Sequence, residues 1–297
     1  MKKVLVTGGS GFIGRHCLPL FAANGYEVHA VSIVPEDPQP HVHWHVMDLL
    51  SPPEVQKLIT TIQPTHLLHF SWYTVPGKYW TSTENLRWVQ ASLELLQAFA
   101  ASGGKRAVMA GTCAEYEWTQ SVYSEETSPL RPATLYGSCK HALQLMLEAF
   151  SKQTGVSSAW GRIFFLYGPY EHPGRLVSSV IRSLLKGEPA LCSHGNQIRD
   201  FLYVEDVASA FTALLESDLN GPVNIGSGKP ITIREVVETI GDLVQRKDLI
   251  QLGRLPSPPD EPSQLLANIQ RLESTDWRPK YDLKSGLQQT IDWWRAQ

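Results

Sequence analysis

Cysteine is scarce in this chain of 297 residues: Cys17, Cys113, Cys139 and Cys192 are the only four, and they are widely spaced. No CxxC pair and no dense framework exists, which excludes a disulfide-stapled module and fits a reducing cytosol. Charge of either sign is also sparse, at 19% of residues with a formal net charge of -3. That balance removes the electrostatic case for duplex DNA, although a small anionic ligand needs only a few local cations. No uninterrupted apolar stretch is long enough to cross a bilayer. The opening Met1-Lys2-Lys3-Val4-Leu5-Val6 resembles the start of a signal peptide. Its apolar run stops at Thr7-Gly8-Gly9, not at a small-residue cleavage site, so the expected location is the cytoplasm. Repeats and low-complexity tracts are missing too. What remains is ordinary globular usage, 42% hydrophobic, in a length that holds one large α/β domain or one domain with a smaller lobe.

The first half alternates strand and helix patterns. Strands are expected at Val4–Val6, Val28–Val34, Val42–Val46, Thr65–Phe70, Arg106–Ala110 and Ser158–Phe164. Helices are expected through Cys17–Phe21 and over Pro53–Ile62, Glu84–Ala101 and Pro132–Lys152. This rhythm implies a Rossmann-type, doubly wound parallel sheet with right-handed crossovers. After about Tyr167 prolines and glycines cluster, at Gly168-Pro169, Pro173-Gly174 and Pro256 to Pro262. Helices persist near Leu176–Leu185, Val204–Leu215, Ile233–Val244 and Leu283–Trp294. Residues 1–166 are therefore expected to form a dinucleotide-binding domain. Residues 167–297 are expected to form mainly a substrate-binding lobe, with some elements returning to the sheet.

Thr7-Gly8-Gly9-Ser10-Gly11-Phe12-Ile13-Gly14 lies between the first strand and first helix. Gly8 permits the tight turn, Gly11 lets a pyrophosphate approach the backbone, and Gly14 lets helix and strand pack closely. The helix then offers free N–H groups and its dipole to the anion. Phe12, Ile13, Leu49 and Phe70 complete the expected cofactor contacts around this loop. An acid closing the second strand would accept from the adenosine ribose of NAD, but Ser32 stands there. With Arg15 as the nearest cation, the cofactor reading is NAD or NADP, leaning to NADP. Asp48 follows the third strand, either as an acceptor for the adenine amino group or as a helix-capping carboxylate.

Tyr136-Gly-Ser-Cys-Lys140 places a phenol and an ammonium four apart on one helix face. An adjacent cation favours the phenolate and brings tyrosine toward a useful acid–base range. Lys140 can also hold a nicotinamide ribose. Thr112 closes the fifth strand, where its hydroxyl can hold a substrate oxygen beside Tyr136.

With these residues together the chain resembles the extended short-chain dehydrogenase/reductases, the sugar-nucleotide epimerase/dehydratase family, over nearly its whole length. Thr7–Gly14, His69-Phe70-Ser71, Asn85, Arg162 to Pro169 and Gln197 to Asp206 match that family's motifs, and Thr112, Tyr136 and Lys140 match its catalytic trio. The resemblance implies a nucleotide-sugar substrate, with Arg199 on its diphosphate and Phe165 at a sugar-contact position usually held by asparagine. It also implies a homodimer packed through helices near Leu86–Ala100 and Leu143–Phe150. An arginine expected about where Ser257 stands is replaced, with Arg254 as a substitute. Where dehydratases of the family carry an Asp-Glu pair for water elimination, this chain has Cys113 and Ala114, which argues against 4,6-dehydration. The preferred expectation is reduction of a 4-keto nucleotide sugar, with hydride delivered to C4 and a proton from Tyr136. The alternative is a 4-epimerase that retains NAD, and the third reading is a non-catalytic dinucleotide sensor.

No metal is expected. His41, His43 and His45 alternate on one strand face without an evident carboxylate or cysteine ligand. Cys113 and Cys139 read as buried small hydrophobes. Trp72, Tyr73, Tyr79 and Trp80 either line a sugar pocket or pack their loop.

Overall fold

In the computed structural model, which describes residues 2–257 and 261–297, Val4, Leu5 and Val6 are fully buried at the centre of a parallel sheet. Part of the proline run at 256–262 lies outside the described residues. In chain order the first half contains β1 (Lys3–Thr7), α1 (Gly14–Ala23), β2 (Glu27–Ser32), β3 (Val42–Val46), α2 (Pro52–Ile62), β4 (His66–His69), α3 (Glu84–Ala101), β5 (Arg106–Thr112), β6 (Val122–Tyr123), α4 (Leu135–Thr154) and β7 (Ser157–Ile163). The remainder contains β8 (Phe165–Tyr167), α5 (Leu176–Lys186), β9 (Ala190–Leu191), β10 (Ile198–Arg199), β11 (Phe201–Tyr203), α6 (Val204–Glu216), β12 (Gly221–Ile225), β13 (Ile231–Thr232), α7 (Ile233–Val244), β14 (Ile250–Gln251), β15 (Gln264–Ala267), α8 (Gln270–Glu273) and α9 (Leu283–Arg295).

Seven strands pair in the order β12-β7-β5-β4-β1-β2-β3, all parallel. The order reverses beside β1, and ligands bind at such a switch point, beyond the carboxyl ends of the strands. Buried apolar side chains from α1 and α6 cover one face of the sheet; those from α2, α3 and α4 cover the other. A third buried apolar cluster gathers side chains from α5, α7 and α9. Among the described residues no helix is long and apolar enough to cross a membrane.

Several boundaries differ from the sequence expectation for local physical reasons. Strand β2 stops at Ser32, because the Val34 N–H turns back to donate to the Ser32 hydroxyl at 3.2 Å. Helix α4 starts at Leu135 and not at Pro132. Thr134 is extended and caps it, its hydroxyl accepting from the Gly137 N–H at 3.1 Å. Strand β12 has no counterpart in the sequence expectation: its Gly-Pro opening reads as a turn, yet Pro222 is tolerated on a strand at the sheet edge. His41 has φ 65° and precedes β3, so it does not share the strand face of His43 and His45. Those two instead meet His29 of β2, which stacks on His43 and shares a 2.9 Å hydrogen bond with His45. No group of three or more His, Cys, Asp or Glu among the described residues is arranged to hold a metal ion.

His69 ends β4 under the sheet–helix interface, bonded to the Thr7 hydroxyl at 2.6 Å and to the Ser92 hydroxyl at 2.9 Å. Burial pulls its pKa down to about 3, so the folded imidazole is neutral. The unfolded chain takes up this proton below the ordinary value of 6.5. The stabilisation is therefore complete above pH 6.5 and is lost as pH falls toward 3. Between pH 6.5 and 5 the loss from one such group is about 2 kcal/mol. Thermal melts of the wild type should fall more steeply over that interval than melts of His69→Gln; parallel slopes would show that His69 does not carry the effect.

Candidate active site

One cleft of about 1420 Å³ runs along the carboxyl ends of β1, β2, β4 and β5 toward α5 and α9. Single small-ligand sites are typically about 300–1,000 Å³, so this space suits two ligands end to end. The cleft gathers Gly8, Gly11, Phe12, Ile13, Gly14, Arg15, Ser32, Leu49, Phe70, Thr112, Tyr136, Lys140, Phe165 and Arg199 from distant parts of the chain. Asp48 is not part of the lining. It is exposed, and its carboxylate accepts from the Leu50 N–H at 2.9 Å, which makes it a turn carboxylate before α2.

The glycine loop has the shape a dinucleotide requires. Gly8 has φ +68°, and a Cβ there would lie 3.1 Å from the Ser71 nitrogen. A Cβ on Gly14 would run into the Gly8 carbonyl. Side chains at either position would close the approach between loop, helix and neighbouring strand. Arg15, expected as the cation near Ser32, lines the cleft with it. Its guanidinium donates to the Ser10 carbonyl and stacks on Tyr170 at 3.8 Å. What stands beside Ser32 is a carboxylate: the Ser32 hydroxyl accepts from Ser10 Oγ and donates to Glu36 Oε1, both at 3.2 Å. Glu36 carries no sequence signal because the expected acid closes the strand itself, whereas here the next loop folds back four residues later.

At the other end, Lys140 is buried on α4 and donates to the Ala110 carbonyl at 2.8 Å, with its ammonium 3.7 Å over the Trp72 ring. Burial pulls its pKa down to about 7, and the charge of Glu115 acts in the opposite direction. Burial pushes the Tyr136 phenol well above its ordinary value, opposed by its bond with Thr112. Without a bound cation the phenol therefore keeps its proton. The ring of Tyr136 meets Tyr79 and Trp80 edge-on, at 4.9 and 5.7 Å. Its backbone N–H donates to the Trp80 carbonyl at 3.1 Å. Asn85 holds this aromatic loop, accepting from the Trp72 indole at 2.8 Å and donating to the Tyr79 carbonyl at 2.7 Å. Trp72, Tyr79 and Trp80 thus both line the cleft and order it; Tyr73 is outside the lining.

Beside Thr112 the structure places Cys113 and Ala114, both buried. Burial pushes the Cys113 thiol up to about 12, so this position supplies no acid–base group near neutrality. Arg199 reaches the cleft but is already paired: it donates to Glu261 at 2.8 Å, and Gln197 donates to the other oxygen of Glu261 at 2.7 Å. An anionic ligand must compete with that carboxylate for the guanidinium. Glu261 has no signal in the sequence, because its pairing joins β10 to a loop far along the chain.

A family model described as the NAD dependent epimerase/dehydratase family matches residues 4–226. The chain is 28% identical to UDP-glucuronic acid decarboxylase 1 of Danio rerio, over all of this chain and 73% of that protein. It is 26% identical to a putative UDP-glucose 4-epimerase of Methanocaldococcus jannaschii, over 98% of this chain and 97% of the relative. The crystal structure of UDP-glucose 4-epimerase from Thermus thermophilus, in complex with NAD, superposes with a TM-score of 0.85 at 28% identity, covering 99% of each chain.

Proposed function

The chain belongs to the NAD-dependent epimerase/dehydratase family, and from that premise we propose that it is a nucleotide-sugar 4-epimerase that works with NAD. The observation that carries this reading is the composition of the reacting end. Tyr136, Lys140 and Thr112 line the cleft together, while Cys113 and Ala114 leave no acid–base pair beside the threonine. Such a site can move one proton and one hydride at a single carbon, and the two positions after the threonine supply no second proton relay for water elimination.

The glycine loop and the ribose end fit NAD. The carboxylate of Glu36 beside Ser32 suits a ribose hydroxyl and repels a 2′-phosphate, and Arg15 is engaged elsewhere. Bound there, NAD supplies a hydride acceptor and donor and a positive charge that favours the tyrosine phenolate. Tyr136 takes the proton from the sugar O4 and later returns it. Thr112 holds that oxygen, and Lys140 holds the ribose and biases the phenol. Exposed Leu86 on α3 and Leu145 on α4 support a homodimer packed through those helices.

The test is to denature the purified protein, identify the released dinucleotide, and follow UDP-glucose by NMR without added cofactor. Retained NAD and appearance of UDP-galactose are expected. An empty protein that prefers NADPH and consumes it with a 4-keto nucleotide sugar would overturn the epimerase in favour of a ketoreductase.

A further inference from the structure

Glu115 is fully buried, one turn past the strand that ends in Thr112, and every hydrogen bond it makes points at the catalytic group or its support. Its Oε1 accepts from the Thr112 backbone N–H at 2.8 Å and from the Trp160 indole at 2.9 Å. Its Oε2 accepts from Arg162 Nε at 2.8 Å, an ion pair with no solvent exposure on either side. The Thr112 hydroxyl in turn accepts from the Ala114 N–H at 3.2 Å, so both ends of the threonine are fixed by this one turn. Gly111 makes the arrangement possible, since a Cβ there would run into the Trp160 indole nitrogen. The Lys140 ammonium lies over the same indole, 5.9 Å from the ring centre. Arg162 points the other way, donating to the Tyr116 hydroxyl, which is bonded to Asn224. The ion pair is thus a dipole with its negative end toward the catalytic residues.

We propose that Glu115 is a positioning residue, which locks Thr112 through its backbone N–H and, oriented by Arg162 and Trp160, presents a fixed negative charge to Lys140. His69 from β4 also acts on Lys140 and is kept neutral by burial, and Tyr136 stands one turn before it on the same helix. That leaves Glu115 as the carboxylate whose charge opposes the effect of burial on this desolvated amine. The inference rests on the assignment of Thr112, Tyr136 and Lys140 as the reacting group, but its first test needs no substrate.

The full chain, labelled with 13C at the lysine ε carbons and assigned with Lys140→Met, reports the Lys140 titration directly by NMR. The wild-type midpoint is expected close to 7 and the Glu115→Gln midpoint lower by about half a unit or more. If the amide clashes with Arg162 and the single variant does not fold, Glu115→Gln with Arg162→Gln removes the whole dipole and should lower the midpoint in the same direction by a smaller amount. An unmoved midpoint in either folded variant overturns the electrostatic role. Glu115→Asp keeps the charge but draws it away from Thr112. With UDP-glucose as the probe it should lose about tenfold or more in kcat, with little change in KM and the Lys140 midpoint within about 0.2 units of wild type. Wild-type kcat in that variant overturns the positioning role. A Lys140 midpoint that responds in an enzyme inert to UDP-glucose would retain this inference and discard the substrate reading alone.

Discussion

Replacing Tyr136 by phenylalanine should lower kcat by about 100- to 10,000-fold while leaving the fold and nucleotide binding intact. The ring is held by edge contacts with Tyr79 and Trp80 and by a backbone bond to Trp80, none of which uses the hydroxyl. Phenylalanine therefore keeps the wall of the cleft and removes only the hydroxyl proposed to carry the proton. KM should change little, because Thr112 and the aromatic wall, the proposed sugar contacts, are unaltered. The effect is large because the neighbouring positions offer no replacement: Cys113 is a buried thiol pushed up to about 12, and Ala114 has no titratable atom. Initial-rate kinetics over a range of UDP-glucose concentrations check this, with NAD fluorescence titration as the binding control. A variant that keeps most of its turnover would remove Tyr136 from the chemistry.

Arg162→Met should destabilise the protein by about 3–5 kcal/mol, measured as a shift of the urea midpoint at unchanged slope. The substitution leaves the Glu115 carboxylate without its cation in a site with no solvent exposure. Breaking one side of such a pair is costly because the remaining charge stays desolvated. Replacing both sides is not: Arg162→Met with Glu115→Leu should recover most of the lost stability. The recovered protein should still be a poor catalyst, because the Thr112 N–H no longer has its acceptor. A stable but slow double variant would show that the pair is retained for the reaction and not for folding. If the double variant were as unstable as the single, the uncompensated charge would not be the cause.

Much of the fold and part of the site are legible in the sequence, for reasons that lie in particular residues. Thr7–Gly14 and Tyr136–Lys140 are contiguous, and each states its geometry in its own spacing: a strand–turn–helix, and two side chains one helical turn apart. The helices α3, α7 and α9 carry clean apolar periodicity and end close to where it stops. What cannot be read depends on pairings across the chain. Glu115 acquires its meaning only when β5 and β7 bring Gly111 opposite Arg162. Glu261 matters only because the last loops of the chain cross to β10. The lean toward NADP draws on Ser32 and Arg15, and nothing in the order of residues announces that Glu36 folds back to bond the Ser32 hydroxyl. Arg15 reads as available for the same reason, because Tyr170, which stacks on it, comes from the distant loop after β8.

The edge strand β12 also bears on how the chain is made. Its partner β7 ends at Ile163, but Gly221 leaves the ribosome only after the whole of α5 and α6 has been synthesised. At about 5–20 residues per second, that interval lasts several seconds. During it the nascent sheet has an open border along β7, whose Ala159 and Trp160 are buried in the finished protein. An unpaired strand of this kind is a template for another chain. A polypeptide released before Ile225 should therefore aggregate, while one that carries β12 can close its own sheet.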